Sequence, residues 1–144
     1  MPDMSSNIIG GAVVFHEGKI ALVQEAGTSA RGTWNIPAGH IEESEDIITG
    51  TLREIKEETN LDVELVGLIG VYQGKSPKGI DHLRFFFKAK VIGGTLKHQE
   101  GELLDAKWIT LDEFKKMDDS ELRDDKMKRA ILDSDTIVPL ELLK

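Results

Sequence analysis

Between residues 82 and 92 the chain alternates so regularly that only an extended conformation can use the pattern. Leu83, Phe85, Phe87, Ala89 and Val91 point one way, and Arg84, Phe86, Lys88 and Lys90 the other, which is the period-two signature of a strand. A strand needs partners, and the rest of the chain supplies them. Residues 8–15 are apolar with two central glycines, and residues 19–25 alternate, with Glu17-Gly18 between them as a hairpin turn. Residues 61–73 read as a strand with a register change and residues 103–109 as a further one. Residues 27–37 and 74–79 are rich in turn formers and read as loops, and Gly93-Gly94 breaks the central strand. Helices are expected over residues 45–59, 111–117 and 121–132. Strands outnumber helices and no simple βαβ alternation is present, so the class is mixed α/β.

A chain of 144 residues fits one domain, residues 1–144, with residues 1–7 as a loose lead-in. A domain of this size buries enough apolar surface to do without staples, and the chain has no cysteine. Thiol catalysis, zinc–thiolate sites and disulfide scaffolds are thereby excluded. The absence of cysteine suits a reducing cytoplasm, which is the expected location. The formal net charge of -8 repels duplex nucleic acid, so a nucleic-acid partner is disfavoured. No apolar run is long enough to cross a bilayer, and the N-terminus lacks the pattern of a signal peptide. Monomer and homodimer are both open.

The central helix carries the chemistry. Ser44 is the expected N-cap, Glu45 and Asp46 suit the positive end of the helix dipole, and Asn60 ends the helix in a left-handed conformation. Wound at about 100° per residue, Ile48, Leu52, Ile55 and Thr59 form the buried stripe. Glu54, Glu57 and Glu58 fall on the opposite arc, with Gly50 one turn earlier leaving room for a ligand. Carboxylates at these spacings repel one another, and Arg53 and Lys56 relieve this only in part. Clustered oxygen ligands with no Cys or His among them favour Mg²⁺ or Mn²⁺ over zinc. Taken on this helix alone, a solvated acidic face is the other reading.

The wider pattern decides between them. Gly39, five residues, Glu45, seven residues and then Arg53-Glu54-Ile55-Lys56-Glu57-Glu58-Thr59-Asn60-Leu61 resembles the Nudix box, preceded by Trp34-Asn35-Ile36-Pro37-Ala38-Gly39-His40-Ile41-Glu42, which is similar to the lead-in loop of that family. One fixed position departs: the late glycine is Asn60, and both residues tolerate positive φ. The resemblance to the Nudix hydrolase (MutT-like) family implies an α/β/α sandwich with a central mixed β-sheet. It implies that Glu54, Glu57 and Glu58 hold catalytic metal, with the backbone carbonyl of Ala38 as a further ligand. It implies that Arg53 orients the glutamates and that Glu45 supports them. A later loop acid is expected to join them, with Glu102 preferred over Glu100. The implied reaction is hydrolysis of a phosphoanhydride bond by metal-activated water attacking phosphorus.

The substrate class implied is a nucleoside di- or triphosphate, or a related organic diphosphate, the "nucleoside diphosphate linked to X" of the family. Leu83-Arg84-Phe85-Phe86-Phe87, Gly93-Gly94-Thr95-Leu96, Trp108 and Leu111-Asp112-Glu113-Phe114 resemble two of its branches. One acts on thiamine-precursor and nucleoside diphosphates, the other on oxidised guanine diphosphates. Arg84 and Phe86 share a strand face and can meet a phosphate and a ring. Arg31, Lys75 and Lys78 are further substrate candidates in loops. Residues 72–99 hold six Lys or Arg against one acid, Asp81, a local field suited to an anion. Trp34 either packs or flanks the ligand. His16, His40, His82 and His98 show no metal spacing and receive no role. A non-catalytic nucleotide-sensing module and an RNA 5′-end pyrophosphohydrolase are the alternatives.

Overall fold

The computed structural model describes residues 7–75 and 79–143. The readings made for residues 1–6 and for Lys78 lie outside them. The chain runs β1 (Ile8–His16), β2 (Lys19–Glu25), β3 (Trp34–Asn35), β4 (Ala38–His40), α1 (Ile47–Thr59), β5 (Asp62–Lys75), β6 (Asp81–Gly93) and β7 (Leu103–Thr110). Two short helices follow, α2 (Leu111–Lys115) and α3 (Asp125–Leu132), with 3-10 turns at Asp119–Glu121 and Leu140–Leu143.

The expected hairpin forms. Glu17 and Gly18 both take positive φ, 51° and 78°, the turn that matches the twist of two antiparallel strands. The strand inferred from alternation is β6, and it is central: it runs parallel to β1 and antiparallel to β5. The register change foreseen in β5 is real, with shifts between Leu65 and Gly67 and between Leu68 and Gly70. The sheet runs in the order β3-β2-β1-β6-β5, with β7 on β2 and β4 on β1, and is mixed as expected. On the edge away from β6, β1 is shared between two neighbours. Its end meets β2 at Phe15 and His16, whereas Ile9, Gly10 and Gly11 pair with β4. The sheet therefore splays beside β1, and β4 fills the gap.

Alternation along the strands splits the core in two. Val13, Ile20, Leu22 and Phe86 face α2 and α3, where they meet Phe114, Met127 and Ile131. Ala12, Val14, Ala21 and Phe87 face α1, where they meet Ile55 and Leu61. Helices thus cover both faces of the sheet, the layered arrangement expected for a mixed sheet buried on two sides. Among the described residues, no helix is long and apolar enough to cross a membrane.

Several local expectations need correction. The segment read as a loop over residues 27–37 contains β3, and β4 follows it directly; strands of two and three residues carry no periodicity to read. Helix α1 begins two residues later than expected. Its N-cap is Asp46, whose Oδ1 accepts from the Thr49 N–H at 2.9 Å, and Ser44 instead takes a left-handed φ of 67°. The last helix starts at Asp125 rather than residue 121, capped by Asp124. β5 runs to Lys75, into the expected loop.

The buried stripe of α1 is also rotated. Gly50, Thr51, Ile55 and Thr59 are buried, while Ile48 and Leu52 are only partly so. Threonine can take core positions here because its hydroxyl returns to the backbone. Thr51 Oγ1 donates to the Ile47 carbonyl at 2.7 Å and Thr59 Oγ1 to that of Ile55 at 2.6 Å. Asn60 closes the helix at φ 65°, as expected, with its N–H on the Lys56 carbonyl.

Ile55 is fully buried between α1 and the sheet. Ile55→Ala is expected to lower unfolding free energy by about 2–5 kcal/mol in denaturant titrations, the cost of deleting a buried isoleucine side chain. An unchanged transition midpoint would show that the α1 face is packed by other residues.

Candidate active site

The three residues of β4 bring the acidic helix face to the sheet. The Ala38 N–H donates to Glu58 Oε1 at 3.0 Å. Gly39 lies against Glu54 so closely that a Cβ there would fall 2.0 Å from Oε2 and 2.1 Å from the carboxyl carbon. The His40 carbonyl accepts from Arg53 Nη2 at 3.1 Å. Each residue of this strand therefore fixes one member of the Arg-Glu-x-x-Glu-Glu run.

Arg53 is the hub. Its Nε donates to Glu45 Oε2 at 2.7 Å and its Nη2 to Glu45 Oε1 at 3.0 Å, a two-pronged ion pair. Its Nη1 reaches Glu54 Oε1 at 2.9 Å and Glu57 Oε1 at 3.1 Å. Glu45 stands just before the helix rather than on it, and its carboxylate also takes the Glu42 N–H at 2.9 Å. Hydrogen bonds from Arg53 and Glu42 hold Glu45 below the ordinary carboxylate range. Gly50 makes room for this contact, not for an external ligand: a Cβ there would lie 2.6 Å from Glu45 Oε1 and 2.7 Å from Ile41 Cδ1.

Glu58 and Glu54 are held in the opposite sense. Burial pushes Glu58 well above the ordinary range, against the Ala38 N–H, and the charges of Glu25, Glu54 and Glu57 push it further. Burial also raises Glu54, against the hydrogen bond and charge of Arg53. Glu54 and Glu58 are thus poorly solvated, whereas Glu57 is the most exposed of the three on the helix. Among the described residues no three acids or histidines form a ready-made metal cage, and Arg53 spans Glu54 and Glu57. The donor set is nonetheless entirely hard oxygen, and its mutual repulsion is what a divalent cation would relieve.

Glu25, at the end of β2, is the acid that sequence reasoning missed. It accepts from Asn35 Nδ2 at 3.0 Å, and its charge reaches Glu58. Its only sequence signal was its position closing an alternating strand. Glu102 and Glu100 lie in an exposed turn before β7. That turn is tied to α1 by the Gln99 N–H on the Glu58 carbonyl at 3.2 Å, but neither acid is among the charges acting on Glu58.

β4 also walls a polar cleft of about 190 Å³ on the face opposite α1. Ala38, Gly39 and His40 line one side of it, and Arg84, Phe86 and His82 of β6 the other. Arg84 lines the cleft, but it is paired: its Nη1 donates to Asp124, the N-cap of α3. Phe86 is 2% exposed and packs on Tyr72, so it is a core residue that floors the cleft rather than a free ring. Arg123 also lines the cleft, anchored by its N–H on the Trp34 carbonyl at 2.8 Å. Two other candidates lie elsewhere. Arg31 closes its own loop through the Ala26 carbonyl at 2.9 Å, and Lys75 pairs with Asp81 at 2.7 Å. Neither lines this cleft. Trp34 packs against the α2–α3 core beneath Lys107.

Comparison with known proteins agrees with this fold. The NUDIX domain family is matched over residues 8–131. The mouse (Mus musculus) protein named 8-oxo-dGDP phosphatase NUDT18 is 39% identical over 93 residues, covering 62% of this chain and 28% of that protein. A MutT-like protein of Streptomyces ambofaciens is 34% identical over 112 residues, covering 78% of this chain and 68% of its own. A solved Nudix hydrolase from Nitrosomonas europaea superposes with a TM-score of 0.83 at 29% identity, covering 96% of this chain and 95% of that one. The chain spans less than a third of the length of the curated relatives it matches first.

The contact between Gly39 and Glu54 is open to a direct test. Gly39→Ala is expected to cost about 1–3 kcal/mol of stability, as overpacking does, because the whole Glu54 carboxyl must leave its bond to Arg53. In a Glu54→Ala background the same substitution should cost markedly less, read as the coupling term of a double-mutant cycle. Equal costs in both backgrounds would show that the two residues do not touch.

Proposed function

Because the chain belongs to the Nudix family, we propose that it hydrolyses a phosphoanhydride bond in a nucleoside di- or triphosphate or a related organic diphosphate, with Mg²⁺ or Mn²⁺. The observation that carries this reading is the pair of contacts from β4, which hold the Glu58 and Glu54 carboxylates together despite their repulsion. Glu54, Glu57 and Glu58 and the Ala38 carbonyl are the groups that would hold the ion. When bound, the ion neutralises phosphate charge and makes water acidic enough to attack at neutral pH.

The chain's own residues do the rest. Arg53 keeps Glu45, Glu54 and Glu57 in fixed orientation, so little reorganisation is needed when charge develops. The cleft on the other side of β4 takes the remainder of the substrate. In the reaction, the water oxygen bonds to phosphorus and the bridging P–O bond breaks. Its electron pair leaves with the departing phosphate, and the water protons pass to solvent or a site carboxylate. Relatives carrying the name 8-oxo-dGDP phosphatase make nucleoside diphosphates with an oxidised purine the first compounds to assay. Arg84 is matched by Asp124 and so is not a free guanidinium for a further phosphate.

A panel of nucleoside di- and triphosphates and organic diphosphates, incubated with Mg²⁺ and resolved by mass, should yield two phosphate-bearing products or a monophosphate and inorganic phosphate. Chelation of the cation should abolish turnover. Binding with no product under any divalent ion would identify a sensing module instead, and strongly salt-dependent RNA binding with release of 5′ phosphates would point to RNA ends.

Glu57→Gln is expected to lower turnover at least about a hundredfold, more than the loss of a group that merely orients a metal ligand. Its melting temperature should stay close to the parent's, because Glu57 is exposed. Near-normal kcat in the folded variant would remove Glu57 from the metal set.

A further inference from the structure

Two adjacent glycines, Gly10 and Gly11, lie inside β1, a strand that is paired on both sides there. Glycine weakens a strand interior, and close approach by another backbone is one reason to find it there. At Gly11 that backbone belongs to β4. Gly11 stands opposite Ala38 in the antiparallel register. A Cβ on Gly11 would fall 2.5 Å from the Ala38 Cβ, 2.8 Å from the Pro37 carbonyl oxygen and 3.1 Å from the Ala38 Cα. Opposed Cβ atoms of an antiparallel pair ordinarily lie about 4.5–5.5 Å apart. β4 therefore sits closer to β1 than two residues with side chains allow.

The main chain of β4 has little room to retreat. The Pro37 carbonyl is held by the Ala12 N–H at 3.1 Å, one residue further along β1. Pro37 and Ile36 are both buried, and the proline ring fixes its own φ. A methyl group on Gly11 would thus displace backbone, and the residue displaced is Ala38. The Ala38 N–H is the donor to Glu58 Oε1 at 3.0 Å, and its carbonyl is the main-chain group assigned to the ion. Gly10 has a different task. A Cβ there would lie 2.0 Å from Thr51 Oγ1, so Gly10 makes room for α1 instead.

We propose that Gly11 is a positioning residue of the acid site: its bare Cα seats the Pro37–Ala38 main chain on β1, and so sets where Ala38 presents its N–H to Glu58 and its carbonyl to a divalent ion. The part that concerns the ion rests on the hydrolase reading, and the part that concerns Glu58 does not. Gly11 acts through Ala38 and carries no side chain of its own into the site. A residue of the central sheet thereby governs a carboxylate on α1 across an intervening strand of three residues.

Two measurements on the full chain test this without turnover. The first is the NMR resonance of the Ala38 amide proton in the metal-free chain, which its carboxylate acceptor shifts downfield. In Gly11→Ala it should move more than half of the way to its position in Glu58→Ala. The second is Mn²⁺ affinity by calorimetric titration. Gly11→Ala should weaken it about 10–100-fold, the loss expected when a group that orients a metal ligand is removed. Gly67→Ala is the structural control, because a Cβ there would crowd Ile137 Cδ1 at 2.9 Å and the Val138 carbonyl oxygen at 3.0 Å, on the outer strand β5. It should lower the melting temperature and leave both readings at the parent values. Adding Ala38→Gly to Gly11→Ala removes the nearest clashing atom and should restore part of both. If Gly11→Ala does not fold, that double variant decides against Ala38→Gly alone, since the contacts with the Pro37 oxygen and the Cα remain, and a displaced amide at position 38 is the supporting result. An Ala38 resonance unmoved in Gly11→Ala, or moved equally in Gly67→Ala, would overturn the proposal. A moved resonance with unchanged Mn²⁺ affinity would overturn its claim on the ion. A parent that takes no Mn²⁺ would sink the hydrolase reading, and the metal-free spectrum would still decide what Gly11 does to Ala38.

Discussion

Everything in the site depends on one hydrogen bond and one missing side chain: the Ala38 N–H on Glu58, and the bare Cα of Gly39 under Glu54. Helix α1 carries its carboxylates at spacings where they repel, and burial raises the cost of keeping them charged. Left to themselves, long glutamate side chains would swing towards water. β4 prevents this by offering a backbone donor to one and no obstacle to the other. That strand exists because β1 parts from β2 over its first residues, so the splay of the sheet and the placement of the acids are one structural decision. Arg53 completes the arrangement from outside, binding Glu45, Glu54 and Glu57 at once and taking the His40 carbonyl.

The long elements were legible because their patterns are periodic. β6 announced itself by alternation, the register shifts of β5 by a break in it, and the C-terminus of α1 by Asn60. What escaped was set by contacts between distant residues. Ser44 and Asp46 are equally good caps on paper; Asp46 wins because Glu45 is drawn back to Arg53, which places the helix start after it. The buried arc of α1 was misjudged because Thr51 and Thr59 look polar until their hydroxyls are returned to the backbone. Gly50 suggested space for a ligand, but the space is filled by Glu45 and Ile41.

The acidic cluster shows the same division. Arg53, Glu54, Glu57 and Glu58 could be read from local spacing, since a helix brings them together whatever the fold. Glu25 could not, because it arrives from a strand whose end meets the helix only after the sheet has formed. Arg84 was read as a possible phosphate contact, yet its partner Asp124 lies forty residues on and was read as helix interior. Pairing changes its meaning: a free arginine invites a phosphate, whereas a neutralised one holds a neighbouring ring.

The two walls of the cleft are built by different means, and this bears on how such a chain can change what it acts on. On the β4 side the contacts run through main-chain atoms and a glycine, so substitutions there disturb the sheet itself. On the β6 side they run through side chains alone: His82, Arg84 and the capping Asp124. Exchanging a donor there leaves the ladder of β1, β6 and β5 intact, because only side chains that stand off the strand are altered. The acid cluster is thus tied to backbone and the far wall of the cleft to side chains, with β1 lying between β4 and β6. A chain built this way keeps its acid cluster in register through main-chain contacts, while side chains on the far wall of the cleft can be exchanged without breaking a strand ladder.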